Sequence, residues 1–155
     1  FTLPEARVDE STALLPGLDG RKMSKSYDNT IPLWLPAQEL RKAIMGIVTN
    51  SQAPGEPKDP AASHLYTIYQ AFADAGEAEQ MRRAYADGIA WGEAKKQLFE
   101  LINNELAEAR DHFMRLMDEP GHIETVLQRG AERAREHSSK LIKKVRAAVG
   151  IAAIC

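Results

Sequence analysis

Prolines set the first limit on what this chain can fold into. Of its eight, Pro4, Pro16, Pro32, Pro36, Pro54 and Pro57 all fall early, leaving only Pro60 and Pro120 beyond them. Each fixes φ and lacks a backbone donor, so neither a long helix nor a central strand runs through that region. One helix fits there: Pro36, at a first-turn position, opens residues 37–48, whose Leu40, Ile44, Ile47 and Val48 share one face. Residues 31–35 form a short apolar run that reads as a strand or an extended entry segment. After Thr49-Asn50-Ser51 comes APGEPKDP, a loop by composition.

From Pro60 onward the periodicity becomes helical. Asp59 is a good N-cap with Pro60 in the first position of a helix to about Ala73, striped by Leu65, Ile68, Tyr69 and Phe72. A shorter helix spans residues 77–86 and stops at Asp87-Gly88. A third covers residues 92–118, with Leu98, Ile102, Leu106, Ala109, Phe113 and Leu116 at steps of four and three. Pro120-Gly121 breaks it. A fourth covers residues 122–149 on Ile123, Leu127, Gly130, Ala134, Leu141, Val145 and Val149, with Gly150 as a left-handed cap. Such helices pack antiparallel in a small bundle. The chain is therefore mainly α, in two parts: residues 1–59, loop-rich and without a core of their own, and residues 60–155, the helical domain. The first part reads as cut from a larger domain, and residues 1–3 as a strand whose sheet partners lie elsewhere.

Composition excludes several classes. With 44% apolar and 27% charged residues the chain is an ordinary globular one, and no stretch approaches the roughly 20 apolar residues of a membrane span. Its start has no basic and apolar leader. The single cysteine, Cys155, excludes an internal disulfide framework and fits a reducing cytoplasm. His64, His112, His122 and His137 are scattered without partners at ligand spacing, so no metal site is expected. The net charge of −2 argues against bulk nucleic-acid coating, but residues 121–150 hold seven basic against three acidic side chains. Within them Arg129, Arg133, Lys140 and Lys144 fall at steps of four, seven and four, on one helix face. They are candidates for nucleic-acid phosphates or a plain solvated face.

The chemistry sits in Pro16-Gly-Leu-Asp-Gly20-Arg-Lys-Met-Ser-Lys-Ser26. Gly17 and Gly20 permit unusual backbone angles, and Lys22, Ser24, Lys25 and Ser26 bring two ammonium groups and two hydroxyls together. Ammonium groups neutralise a leaving pyrophosphate while hydroxyls and N–H groups donate to its oxygens. A glycine-flanked loop can also close over ATP. The alternative is an exposed polar loop with no ligand; a P-loop is excluded, since no GxxxxGK[ST] occurs. Trp34 and Trp91 could stack on bases but read better as packing residues, Tyr66 and Tyr69 as core, and His137 as solvent-facing or capping.

Lys22-Met23-Ser24-Lys25-Ser26 is the unsubstituted signature pentapeptide of class I aminoacyl-tRNA synthetases, and its flanks resemble the tryptophanyl family. PGLDGRKMSKSYDNTIPL over residues 16–33, RKAIMGIVTNSQAPGEPKDP over 41–60 and YADGIAWGEAK over 85–95 carry the resemblance, which covers nearly the whole chain. It implies ATP, with Mg2+ as its counter-ion, L-tryptophan and tRNA(Trp) as substrates, a homodimeric full-length enzyme in the cytoplasm, and adenylate formation followed by acyl transfer. By match to the motif, Lys22 and Lys25 contact the ATP phosphates as catalytic groups, Ser24 and Ser26 add hydrogen bonds, and Met23 lies near the adenine. The loop-rich part then ends a Rossmann-type catalytic domain, and the helices form an anticodon-binding domain. The family's HxGH motif is absent from this sequence, so the chain alone is expected to be inactive. Rival readings are a tyrosyl enzyme, which usually continues into a further RNA-binding module, and a non-catalytic helical RNA-binding or interaction module.

Overall fold

Short polar side chains decide where two of the helices begin. A computed structural model describes residues 3–7 and 14–151 of the chain. It contains α1 (Ala37–Met45), α2 (His64–Phe72), α3 (Ala75–Ala86), α4 (Trp91–Asp118) and α5 (Pro120–Ala148), with short 3-10 turns at Lys25–Tyr27 and Pro60–Ala62. The mainly helical class is as the periodicity indicates, and the described residues contain no strand. Residues 31–35 form a turn and an extended link, not a strand. The strand expected over residues 1–3 lies mainly outside the described residues.

Asp59 caps as expected, its carboxylate accepting the Ala61 N–H at 2.9 Å, but what it caps is the 3-10 turn. The α-helix restarts at Ser63, whose hydroxyl accepts the Tyr66 N–H at 3.2 Å. At α3, Asp74 accepts from the Glu77 N–H (2.8 Å) and Glu77 accepts from the Asp74 N–H (2.9 Å), a reciprocal capping box. That box starts the helix two residues before Glu77, the expected first position. α1 stops at Gly46, so of its expected face Leu40, Ile44 and Ile47 are buried while Val48 is 60% exposed. Gly150 takes φ +76° beyond α5, the left-handed stop the sequence indicates.

The core joins both parts of the chain. Leu40, Ile44 and Ile47 pack in one cluster with Leu65, Ile68, Met81, Tyr85, Leu98 and Ile102, and Tyr66 and Tyr69 belong to it too. Each such side chain contributes about 1.5–3 kcal/mol by leaving water, so the loop-rich part is stabilised by helices that follow it in sequence. Tyr85 is the centre: fully buried, it meets Tyr66 (5.5 Å) and Trp91 (5.7 Å) edge-on. Its hydroxyl lies 3.0 Å from that of Ser63. Trp91 is a packing residue, half-buried, with its indole N–H on Asn50 Oδ1 at 3.1 Å. Trp34 is more open, at 38%.

The structure divides into two compact units, Phe1–Arg110 and Asp111–Cys155. Within the first, the α4 stripe departs from expectation at one step. Ala109 is exposed, and Arg110 is buried instead, donating to the Leu35 carbonyl (3.2 Å) and Asn103 Oδ1 (2.7 Å). A long guanidinium reaches a backbone acceptor that the three–four spacing cannot reveal. In the second unit no residue of α5 is buried, and Leu127 (66%), Leu141 (64%) and Val149 (64%) stand exposed, so its stripe is not a core face here.

Candidate functional site

The signature loop is a small closed hairpin, folded around one buried amide. Pro16 and Lys22 form an antiparallel bridge, and the Met23 N–H donates to the Leu15 carbonyl at 2.9 Å. Between them the Gly17 N–H reaches the Arg21 carbonyl (2.6 Å) and the Gly20 N–H the Gly17 carbonyl (3.0 Å). Gly20 has φ +82°, and a Cβ there would run into the His64 ring. Gly17 serves differently: a Cβ would collide with the Asn29 side chain.

Asn29 is 2% exposed and fully used. Its Oδ1 accepts the Ser24 N–H at 2.8 Å, while its Nδ2 donates to Asp19 Oδ1 at 2.7 Å and to the Lys22 carbonyl at 3.2 Å. Its own carbonyl accepts the Leu18 N–H at 2.9 Å, and the Leu18 carbonyl in turn accepts the Val48 N–H at 2.9 Å. The hairpin is thus fastened to the segment just after α1.

The five signature residues come together at the mouth of this hairpin. Ser24 caps the 3-10 turn Lys25–Tyr27, its hydroxyl accepting the Ser26 N–H at 3.2 Å, and Asp28 closes the turn at φ +50°. Lys22, Lys25 and Ser26 are exposed; Met23 and Ser24 are half-buried. Among the described residues neither Lys22 nor Lys25 forms an ion pair. Arg21, by contrast, is occupied: Asp19 holds it at 2.6 Å and its guanidinium lies 4.5 Å from the Tyr27 ring centre. Of three adjacent cations, the hairpin leaves two open to an anion. Lys22 also lines an open cleft of about 280 Å³ with His64 and Thr67.

Asp19 is held down to a pKa of about 2, chiefly by the Asn29 amide and then by Arg21. A depressed carboxyl stabilises the folded loop above the unfolded carboxyl pKa of about 3.9 and loses that contribution as pH falls towards 2. Glu79, paired with Arg82 and Arg83, is also held at about 2, so acid unfolding of the whole molecule will not separate the two. A carbon-13 NMR titration of the Asp19 carboxyl will: its midpoint is expected near 2, and to rise towards the ordinary range in Asn29→Ala.

Arg129, Arg133, Lys140 and Lys144 are all exposed on α5. His137 is exposed. Asn29 and Asp19 were not legible as site residues. An Asn three positions past Ser26 and an Asp before a Gly both read as ordinary turn formers, and only hairpin closure reveals that they bond each other. Among the described residues no group of His, Cys, Asp and Glu is arranged to hold a metal ion.

The model of the family described as tRNA synthetases class I (W and Y) matches residues 1–107. The chain belongs to this family. It is 54% identical over 151 residues to the tryptophan–tRNA ligase of Pseudomonas aeruginosa, a match covering 97% of this chain and 34% of that protein. Against the tryptophan–tRNA ligase of Neisseria meningitidis the identity is 52%, covering 97% of the chain and 45% of the relative. The crystal structure of a tryptophanyl-tRNA synthetase from Campylobacter jejuni, complexed with ADP and tryptophan, superposes with a TM-score of 0.83. That likeness has 38% identity and covers 97% of this chain and 47% of that one. The chain spans between a third and a half of the length of these relatives. Class I membership places the hairpin and its signature in a family of tRNA-aminoacylating ligases.

Proposed function

We propose that this chain supplies the ATP-phosphate arm and the tRNA-facing helices of an enzyme that attaches tryptophan to tRNA(Trp). The observation that carries the reading is the pair of exposed ammonium groups, Lys22 and Lys25, without an ion pair among the described residues and displayed on an ordered hairpin beside the Ser24 and Ser26 hydroxyls. In the first step the tryptophan carboxylate attacks the α-phosphorus of ATP, which reaches the site as its magnesium complex. The bond to the bridging oxygen breaks and pyrophosphate leaves. Negative charge grows on that leaving group, where Lys22 and Lys25 meet it in a geometry set before the reaction begins. Ser26 adds a donor, the half-buried Met23 borders the adenine, and the Ser24 hydroxyl shapes the turn. In the second step the tryptophanyl group passes to the terminal adenosine of the tRNA. Residues 60–155 form the anticodon-binding part, with Arg129, Arg133, Lys140 and Lys144 on tRNA phosphates. The division at residue 59 is then one of role, since the core runs across it.

The likeness to tryptophan–tRNA ligases favours the tryptophanyl over the tyrosyl reading. The full-length enzyme acts as a cytoplasmic homodimer under this proposal; among the described residues no helix is long and apolar enough to cross a membrane. The test is tryptophan-dependent exchange of labelled pyrophosphate into ATP. The full-length protein is expected to catalyse it with tryptophan and at least 100-fold less with tyrosine, whereas the purified 155-residue chain shows none. Preference for tyrosine, or exchange by the short chain, overturns the proposal.

A further inference from the structure

Within the signature hairpin Asn29 is a buried polar side chain, 2% exposed. We propose that Asn29 is the positioning residue of the loop, holding the backbone of Lys22 and Ser24 so that the ammonium groups of Lys22 and Lys25 point at a polyphosphate in one fixed arrangement. The inference rests on the ATP role proposed above for those lysines and deepens it.

Three bonds from one carboxamide carry it. Oδ1 takes the Ser24 N–H, in the middle of the signature; Nδ2 takes the Lys22 carbonyl, at its start. The remaining Nδ2 proton goes to Asp19, across the hairpin. No other uncharged side chain of this size offers one acceptor and two donors in a plane. Gly17 is glycine because this amide occupies the space of its Cβ, so the hairpin is built around Asn29 rather than merely touching it. Asp19 has a second task. By receiving Asn29 it is fixed where it captures Arg21, which removes a third cation from the mouth of the loop. The amide therefore sets both the direction of the two lysines and the number of charges a phosphate meets. A misplacement of reacting groups by about 1 Å costs on the order of 100-fold in rate, so the effect of losing this amide falls on turnover more than on ATP affinity.

Asn29→Asp keeps the shape and replaces two donors with acceptors facing Asp19 and the Lys22 carbonyl. In the full-length protein this variant is expected to lower kcat for tryptophan-dependent exchange about 100-fold, with KM for ATP within about threefold. The new carboxyl lies beside a carboxylate, which raises its pKa; once protonated it donates again, so the deficit shrinks at least about threefold between pH 8 and pH 6. Adding Asp19→Asn returns an amide to the pair and restores at least about tenfold of the loss. Amide hydrogen exchange at Ser24, read by NMR or mass spectrometry, is expected to be at least about tenfold faster in Asn29→Ala than in the wild type. That reading is independent of turnover: if the wild-type protein shows no pyrophosphate exchange, the ATP role fails while Ser24 protection still decides whether Asn29 positions the loop. Wild-type kcat in Asn29→Asp, or unchanged Ser24 exchange, overturns the inference. So does a loss that is independent of pH, unrelieved by Asp19→Asn and matched by a fall in Tm, because that pattern is structural damage alone.

Discussion

Replacing Lys22 or Lys25 with alanine in the full-length protein is expected to lower kcat/KM for pyrophosphate exchange about 100-fold, and replacing both about 1,000-fold or more, with folding stability unchanged. The size follows from removing a preorganised positive partner of a developing charge, which costs about 100- to 1,000-fold in rate. The double variant falls short of the product of the two because the lysines serve one leaving group. Stability is spared because both side chains are exposed and, among the described residues, neither is paired, so each change stays within about 0.5 kcal/mol. Arg21 is the internal control. It is adjacent and equally charged, but Asp19 and the Tyr27 ring hold it. Arg21→Ala is expected to alter exchange less than about tenfold. Steady-state kinetics on the four proteins, with urea unfolding alongside, decides the matter; an Arg21 effect as large as that of Lys22 would show that general surface charge, not the displayed pair, is what ATP meets.

The largest stability effect is expected at Tyr85. Tyr85→Ala should destabilise the unit Phe1–Arg110 by about 3–5 kcal/mol, since a large, fully buried ring is lost and the surroundings only partly collapse. That is a large share of a typical total of about 5–15 kcal/mol. Its ring touches Tyr66 and Trp91, and its carbonyl accepts the Lys58 N–H at 2.9 Å, tying the segment after α1 to the end of α3. Tyr85→Phe isolates the hydroxyl, which faces the Ser63 hydroxyl and whose pKa burial pushes up to about 12. Ser63 retains the Tyr66 N–H, so this variant should cost only about 0.5–1.5 kcal/mol. Urea unfolding followed by tryptophan fluorescence reads both, because Trp91 lies against the mutated ring. A loss under about 1 kcal/mol for Tyr85→Ala would mean the cavity refills and the ring is not the centre of the core.

Much of this architecture was open to reading because local chemistry decides it. Proline placement confines the first part to loops and one helix, and α1 appears where Pro36 and the Leu40–Ile44–Ile47 spacing put it. The long α4 follows its stripe, and the signature pentapeptide identifies the loop. What resisted reading is non-local. Ser63 outcompetes Asp59 as the start of α2 because its hydroxyl also meets Tyr85, which is 22 residues away. Arg110 is buried because it finds the Leu35 carbonyl, 75 residues earlier. The α5 stripe shows a different limit: periodicity states that a face could be covered and is silent about what covers it. Asn29 and Asp19 lie ten residues apart, and their bond exists only once the hairpin has closed. The family resemblance carried by the pentapeptide and its flanks is borne out by the match to the class I family and by the likeness to tryptophan–tRNA ligases.

The two hairpin glycines also limit how the protein can be made more heat-tolerant. Exchanging glycine for alanine normally stabilises a loop by restricting the unfolded chain, by about 0.4–1 kcal/mol where the native conformation accepts a methyl group. Here that route is closed at both positions, since Gly17 gives its space to Asn29 and Gly20 combines a positive φ with the His64 ring. A hardier version of this loop would have to gain its rigidity from the exposed turn Lys25–Tyr27 or from neighbouring segments. Selection for growth at high temperature should therefore leave residues 17 and 20 untouched while the surface around them changes.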